Sequence, residues 1–301
     1  MREKTEKFIK NRFSIAILTF ALCAVIGVTA TIAWYTGSDG AEMNKMEMAG
    51  TSPHYEISSL PSGTNGIYYE YYSVIKPEEE DNVMVWQMTD TSNLDNYGGM
   101  DAGIAPGASG KISFVVTPKT ESVNLSFDLE VVGYLSHTQG QTITMEEITN
   151  ESLMNYLNGH ILLFENCEEG KYSGLIASDA DRERVFNRTF SGKNTPATVD
   201  IYWVWPEHFS NLVNAYNGSS VTEQPFLDTN SSSYTEMIRH ICDYPRYYLK
   251  GNTEDEALAD LTEVKIKNDY ETYGGLYDGA DNDIGTGVEF ILVRLTVSEW
   301  E

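Results

Sequence analysis

Alternation of apolar and polar side chains dominates the chain from Ala41 onward. It is clearest where Val123, Leu125, Phe127, Leu129 and Val131 alternate with Asn124, Ser126, Asp128 and Glu130. A period of two predicts a strand with one buried and one wet face. Just upstream, Ile112, Phe114 and Val116 alternate in KISFVVT, entered through Pro106-Gly107 and left through Pro118. The two segments read as an antiparallel pair. In Thr198–Trp205, Val199, Ile201, Trp203 and Trp205 share one face while Tyr202 and Val204 occupy the other. That pattern predicts a central strand covered on both sides. Gly287–Ser298 predicts a long last strand, with Ile291, Val293, Leu295 and Val297 in phase. Shorter strands are expected at His54–Leu60, Ile67–Val74, Val83–Met88 and Ile161–Glu165.

Helical spacing is confined to short stretches between the strands. Thr149 or Asn150 can cap ESLMNYLN, which ends at Gly159, and Ser178 can cap DADRERVFNRTF. Glu207–Tyr216, Ser233–Cys242 and Glu254–Leu261 complete the predicted helices. Strands at both ends with helices between them predict a mainly β fold. It is an antiparallel β-sandwich over residues 34–301, with short helical insertions around 145–260.

The N-terminus follows a different rule. Phe13–Ala33 is twenty-one residues without a charge, preceded by Arg2, Lys4, Lys7, Lys10 and Arg12. As a helix it would be roughly 30 Å long, enough to cross a bilayer core. The basic flank predicts a cytoplasmic start, with everything after Trp34 outside. Small residues permit cleavage before Thr31 or before Trp34. Residues 1–33 are therefore read as a signal peptide or a transmembrane signal anchor, and the rest as extracellular or held at the cell surface.

Charge narrows the partners. The net charge is −25, while the first twelve residues are basic on balance, so the acidity belongs to the rest of the chain. Such a surface repels phosphate backbones, and nucleic acid is excluded as a partner. Of three cysteines, Cys23 lies in the apolar run, leaving Cys167 and Cys242 with no C-x-x-C spacing. His54, His137, His160, His208 and His240 form no H-E-x-x-H, and no G-x-S-x-G, Walker or Rossmann pattern occurs. No catalytic residue is assigned, and the chain is not read as an enzyme. In YDGADNDIGTG, Asp278, Asp281 and Asp283 are oxygen donors of the kind calcium takes, although the spacing is not that of an EF-hand. The competing reading is a turn that launches the last strand. Tyr68, Tyr69, Tyr71 and Tyr72 mark either a packed strand or an aromatic surface.

Three features together resemble the TasA/camelysin family of Gram-positive cell-surface and biofilm-matrix proteins. The apolar segment runs into Trp34-Tyr35-Thr36, the Pro106-Gly107 turn opens KISFVVT and VNLSFDLEVVGY, and the chain finishes in GVEFILVRLTVSEW. The resemblance implies a jelly-roll-like sandwich, processing by a dedicated signal peptidase between Ala33 and Trp34, and fibres built by donor-strand addition. The donor would be Trp34–Ala49, with Trp34, Tyr35, Met43, Met46 and Met48 as its apolar positions, although its alternation is poor. Partners would be other copies or other matrix proteins. The family's metalloprotease label finds no zinc motif here. Two alternatives stand beside a structural role: a membrane-anchored module that binds polysaccharide or protein, and a secreted hydrolase.

Overall fold

The computed structural model describes residues 54–59, 66–67, 83–88, 104–139, 142–214, 225–251, 258 and 260–300. Contacts divide the chain after Glu47, and all described residues belong to the unit Met48–Glu301. The apolar segment, the donor candidates and the tyrosine run at 68–72 lie outside the described residues.

Two antiparallel sheets form the body, as the alternation predicts. Sheet A has the order β1 (Tyr55–Ser59), β4 (Ser109–Pro118), β10 (Ala197–Val204), β7 (Leu162–Glu168) and β8 (Lys171–Leu175). Sheet B has the order β2 (Gly66–Ile67), β3 (Val83–Met88), β11 (Phe290–Glu299), β5 (Ser122–Gln139) and β6 (Thr142–Glu147). A further strand, β9 (Val185–Ser191), also pairs with β5. The long strand β5 takes β9 along Ser122–Asp128 and β6 along Tyr134–Gln139, while β11 runs along its other side. Val83–Met88 falls where the pattern puts it, and the helix capped by Asn150 forms as α1 (Glu151–His160).

The expected pairing of KISFVVT with Val123–Val131 does not occur: β4 lies in sheet A and β5 in sheet B. The three residues between them turn an arch across the sandwich rather than a hairpin. Gly192 N–H donates to the Glu121 carbonyl and Asn194 N–H to that of Pro118, which clips the arch in place. Phe114 and Phe127 then meet across the core with ring centroids 5.5 Å apart. Alternation specifies that each strand has a buried face, and an arch satisfies that as well as a hairpin.

Three expected elements take another form. DADRERVFNRTF contains β9, not a helix. Phe186 and Phe190 are four apart, which suits a helix face and a strand face equally, but they pack on Phe127 from a strand. Of Glu207–Tyr216 the described residues, 207–214, hold a short 3-10 turn, Phe209–Asn211, with Phe209, Leu212 and Val213 buried. The expected turn at Tyr277–Gly287 is instead the second half of an eighteen-residue helix, α5 (Tyr270–Gly287). Tyr273, Tyr277, Ala280 and Ile284 recur on one buried face of it, and that burial outweighs its glycines. The remaining helices are α2 (Ser232–Asp243), α3 (Pro245–Tyr248) and α4 (Glu263–Asn268). Glu254–Leu261 reaches the described residues only at Leu258, Asp260 and Leu261, none of them helical.

The helices cover sheet A from outside the sandwich. Leu163 and Trp203 face the core shared by the two sheets. Leu162, Phe164 and Val204, from the same two strands, join a second apolar cluster with Phe209, Met237, Tyr248 and Tyr277. β10 and β7 are therefore buried on both faces, as the TVDIYWVW pattern predicts.

Helices α1 and α3 cross at Gly159, where a Cβ would collide with the Tyr247 carbonyl. Gly159→Ala is expected to destabilise the protein by more than about 3 kcal/mol in chemical denaturation. Gly275→Ala, at an exposed α5 position with nothing within 4 Å, is expected to stabilise it by about 0.5–1 kcal/mol.

Candidate functional site

The seam between the sandwich and the helices holds the polar groups that sequence singled out. Asp278, Asp281 and Asp283 share α5 but point to different tasks. Asp281 accepts hydrogen bonds on one oxygen from His160 Nδ1 (2.6 Å) and Trp205 Nε1 (2.7 Å). Asp283 pairs with Lys250 Nζ at 2.8 Å. Asp278 is exposed, and its carboxyl is pushed up by partial burial and by Asp281. The three are not gathered on one centre, and among the described residues no group of His, Cys, Asp or Glu is placed to hold a metal ion.

His160 is fully buried at the end of α1. Its Nε2 donates to the Tyr248 carbonyl at 3.0 Å, and its ring stacks on Tyr277 at 4.1 Å. One imidazole thus ties α1 to α3 and α5, and Asp281 extends the tie to Trp205, just past β10. The side chain of His160 is 0% exposed and that of Asp281 10%, so this is a closed clamp rather than a surface that meets a substrate.

Arg184 lies beside it, 1% exposed. Its Nη2 donates to the carbonyls of Asn158 (2.9 Å) and Ile161 (3.3 Å), groups that the end of α1 leaves without intrahelical partners. Burial pushes this guanidinium down to about 10, still charged at neutral pH. A cation at a helix C-terminus also complements the helix dipole. His240 completes the seam: its Nε2 donates to the Ser178 carbonyl (2.7 Å), and Tyr248 O–H donates to its Nδ1 (2.6 Å). That arrangement requires the neutral ring, and burial holds its pKa below the ordinary value, with Arg184 adding to the effect. Sequence reasoning passed over Arg184, because nothing in DADRERVF separates this buried arginine from the more exposed Arg182 two residues before it.

Cys167 and Cys242 are both free and half-buried, on β7 and α2. Burial raises the Cys242 thiol, with Asp243 and Glu263 adding to it, which leaves it a poor nucleophile. Ala33, Trp34, Tyr35, Met43, Met46 and Met48 lie outside the described residues.

The seam borders a cleft open to solvent. The cleft, of about 840 Å³, lies between the start of α1, the end of α3 and the end of α5. Asn150, Ser152, Asn155 and Tyr156 line one side, Arg246 and Lys250 another, and Asp283 and Thr286 the third. Its walls carry donors and acceptors of both charges, a surface suited to a polar ligand with hydroxyl or amide groups.

No known protein family and no curated protein matches the chain. Among solved structures, the sporulation control protein Spo0M of Bacillus subtilis aligns over 42% of this chain and 35% of its own, at 9% identity and a TM-score of 0.18. A superposition that loose assigns neither fold nor function.

Two outcomes are expected. Asp281→Ala strands a buried imidazole and an indole N–H, so it should cost roughly 3 kcal/mol or more, while Asp278→Ala stays within about 0.5 kcal/mol in the same denaturant titration. His240 contributes stability above its ordinary pKa of 6.5, because its folded pKa is depressed. That contribution is lost as pH falls through the folded value. Denaturation midpoints measured from pH 8 to pH 5 should fall on acidification, with a shallower fall in His240→Gln.

Proposed function

We propose that this chain is an exported cell-surface or extracellular-matrix structural protein that assembles by strand addition once it is cut near Ala33. The observation that carries the reading is the uncharged segment Phe13–Ala33 behind five basic side chains. The position of β1 supports it: this strand follows the segment in the chain and forms one edge of sheet A. An edge strand offers a row of backbone N–H and C=O groups as a template for an incoming strand. In this reading residues 34–49, with Trp34, Tyr35, Met43, Met46 and Met48, are the donor, available only after release from the membrane. Partners are other copies of the chain or other matrix proteins, and a signal peptidase makes the cut. The two antiparallel sheets are read as jelly-roll-like. No catalytic step is part of the proposal. Nor is calcium, since Asp281 and Asp283 are already engaged by His160, Trp205 and Lys250.

The cleft between α1 and α5 favours a second reading, a membrane-anchored module that binds polysaccharide or protein without assembling. N-terminal sequencing of protein recovered from the producing cell separates the two. The expected first residue is Trp34 or Thr31, and the mature form should then grow in light scattering as its concentration rises. An intact Met1 would remove the donor and leave the anchored module.

A further inference from the structure

The charged groups of the cleft between α1, α3 and α5 are not equally committed. Lys250 and Asp283 pair at 2.8 Å, so their charges are matched within the protein. Arg246 forms no ion pair with any described residue. Its Nη2 donates to the Ala180 carbonyl at 2.7 Å, its Nε is enclosed, and the guanidinium lies over Tyr247, 5.2 Å from the ring centroid. Those contacts hold the group in place. They leave Nη1, which has no partner among the described residues, as its free end.

A second, independent observation is Asn155, one turn into α1. It is 9% exposed, and Arg182 Nη1 donates to its Oδ1 at 3.1 Å. That bond sets which way round the amide sits, so Nδ2 is the end left over. Nδ2 has no partner among the described residues, and unlike Asn158 Oδ1 or Trp203 Nε1 it is not sealed from solvent. Asn155 lines the cleft, so a side chain that is nine-tenths buried presents a fixed donor there. A donor already held in position loses little freedom when an acceptor arrives.

Two fixed donors, one of them cationic, call for oxygen acceptors that carry negative charge, and a carboxylate supplies two. The first turn of α1 borders the cleft and favours the same sign. Glu151 opposes it, but this carboxylate is exposed, where water and salt screen it. The same screening weakens repulsion from the acidic surface at large beyond about 8 Å. Much of the remaining wall is neutral and polar: the Asn150 amide, the Ser152 hydroxyl and Thr286 Oγ1 match hydroxyl groups. Tyr156 is buried and Leu153 packs on the core, so apolar side chains of a polypeptide find little to rest on. At about 840 Å³ the cleft has room for much more than a lone carboxylate.

We propose that this cleft binds an acidic saccharide, with a uronic-acid carboxylate seated on Arg246 Nη1 and Asn155 Nδ2 and the sugar hydroxyls on the neutral wall. This assignment rests on the surface-module reading and deepens it by naming the class of ligand.

The test is isothermal titration of the full-length chain at about 0.15 M salt, held in a polyoxyethylene detergent that has no sugar headgroup. Three probes are used: trigalacturonate, its uncharged methyl ester, and the capped peptide acetyl-Gly-Glu-Gly-amide. Saturable binding of trigalacturonate is expected, about tenfold or more tighter than that of the ester or the peptide. Arg246→Gln should weaken it by about tenfold or more, but Arg246 also holds the Ala180 carbonyl. Asn155→Asp is the sharper variant: it keeps an oxygen for Arg182 and puts a carboxylate oxygen in place of Nδ2, so the same loss is expected. Asn194→Asp, an equal charge change on an exposed turn, should leave binding unchanged. Matching melting curves show that each variant is folded. Equal weakening in Asn155→Asp and Asn194→Asp would mean that the probe senses net charge alone, and the proposal fails. It fails also if the ester binds as tightly as trigalacturonate, or if the peptide binds and the saccharides do not; a binding module then remains. If none of the three binds, the cleft supports neither.

Discussion

Where they pair, over Tyr202–Val204 and Leu162–Phe164, strands β10 and β7 are covered on both faces, and the rest of the molecule is arranged around that constraint. Trp203 and Leu163 fill the space between the sheets, while Val204, Leu162 and Phe164 need cover on the opposite side. A two-sheet sandwich leaves its outer faces wet, so an apolar outer face on sheet A requires a third layer. Helices α2 to α5 supply it. Tyr248 and Tyr277 are buried to 0% exposure in that layer, each too polar at its tip to be placed without a partner or a nearby acceptor. Their hydroxyls are directed at His240 Nδ1 and at the Pro206 carbonyl.

Apolar contact alone would let the helical layer slide on sheet A, because such packing has little directional preference. The seam removes that freedom with polar pairs that work in only one register. His160, Asp281 and Trp205 bring an atom each from α1, α5 and the end of β10 within hydrogen-bonding distance. Arg184 caps α1 from the approach to β9, so the same helix is fixed to sheet B as well. Buried charge of this kind adds little net stability compared with a well-packed apolar group. Its effect here is to make one docking of helices on sheet far better than its neighbours.

Much of this was legible in the amino-acid pattern, and the failures share a cause. Alternation located β3, β4, β5, β10 and β11, since a one-residue slip would turn Phe114 or Phe127 out to water. The two-sided apolar pattern of Thr198–Trp205 announced the third layer. What alternation could not specify was which strands are neighbours, so an arch was read as a hairpin. Phe186 and Phe190 fit both periods, and sheet pairing with β5 decided between them. The α5 sequence, with five glycines, reads as a turn until Tyr273, Tyr277, Ala280 and Ile284 are seen to share a buried face. The seam was the least legible part. His160, Arg184 and Asp281 are far apart in the chain, and nothing in the spacing of each residue reports the others.

The position of β11 has a consequence for the order of events in making this protein. It comes last of the strands in the chain, yet it sits in the middle of sheet B between β3 and β5. Its partners lie far upstream, Arg294 opposite Glu130 and opposite Val85. A sheet whose central strand arrives last cannot close as the chain emerges from its N-terminus, and closing such distant contacts is slow. Until then β3 and β5 each have an unoccupied edge. The strand order itself therefore keeps the sandwich open until almost the whole chain is available to fold.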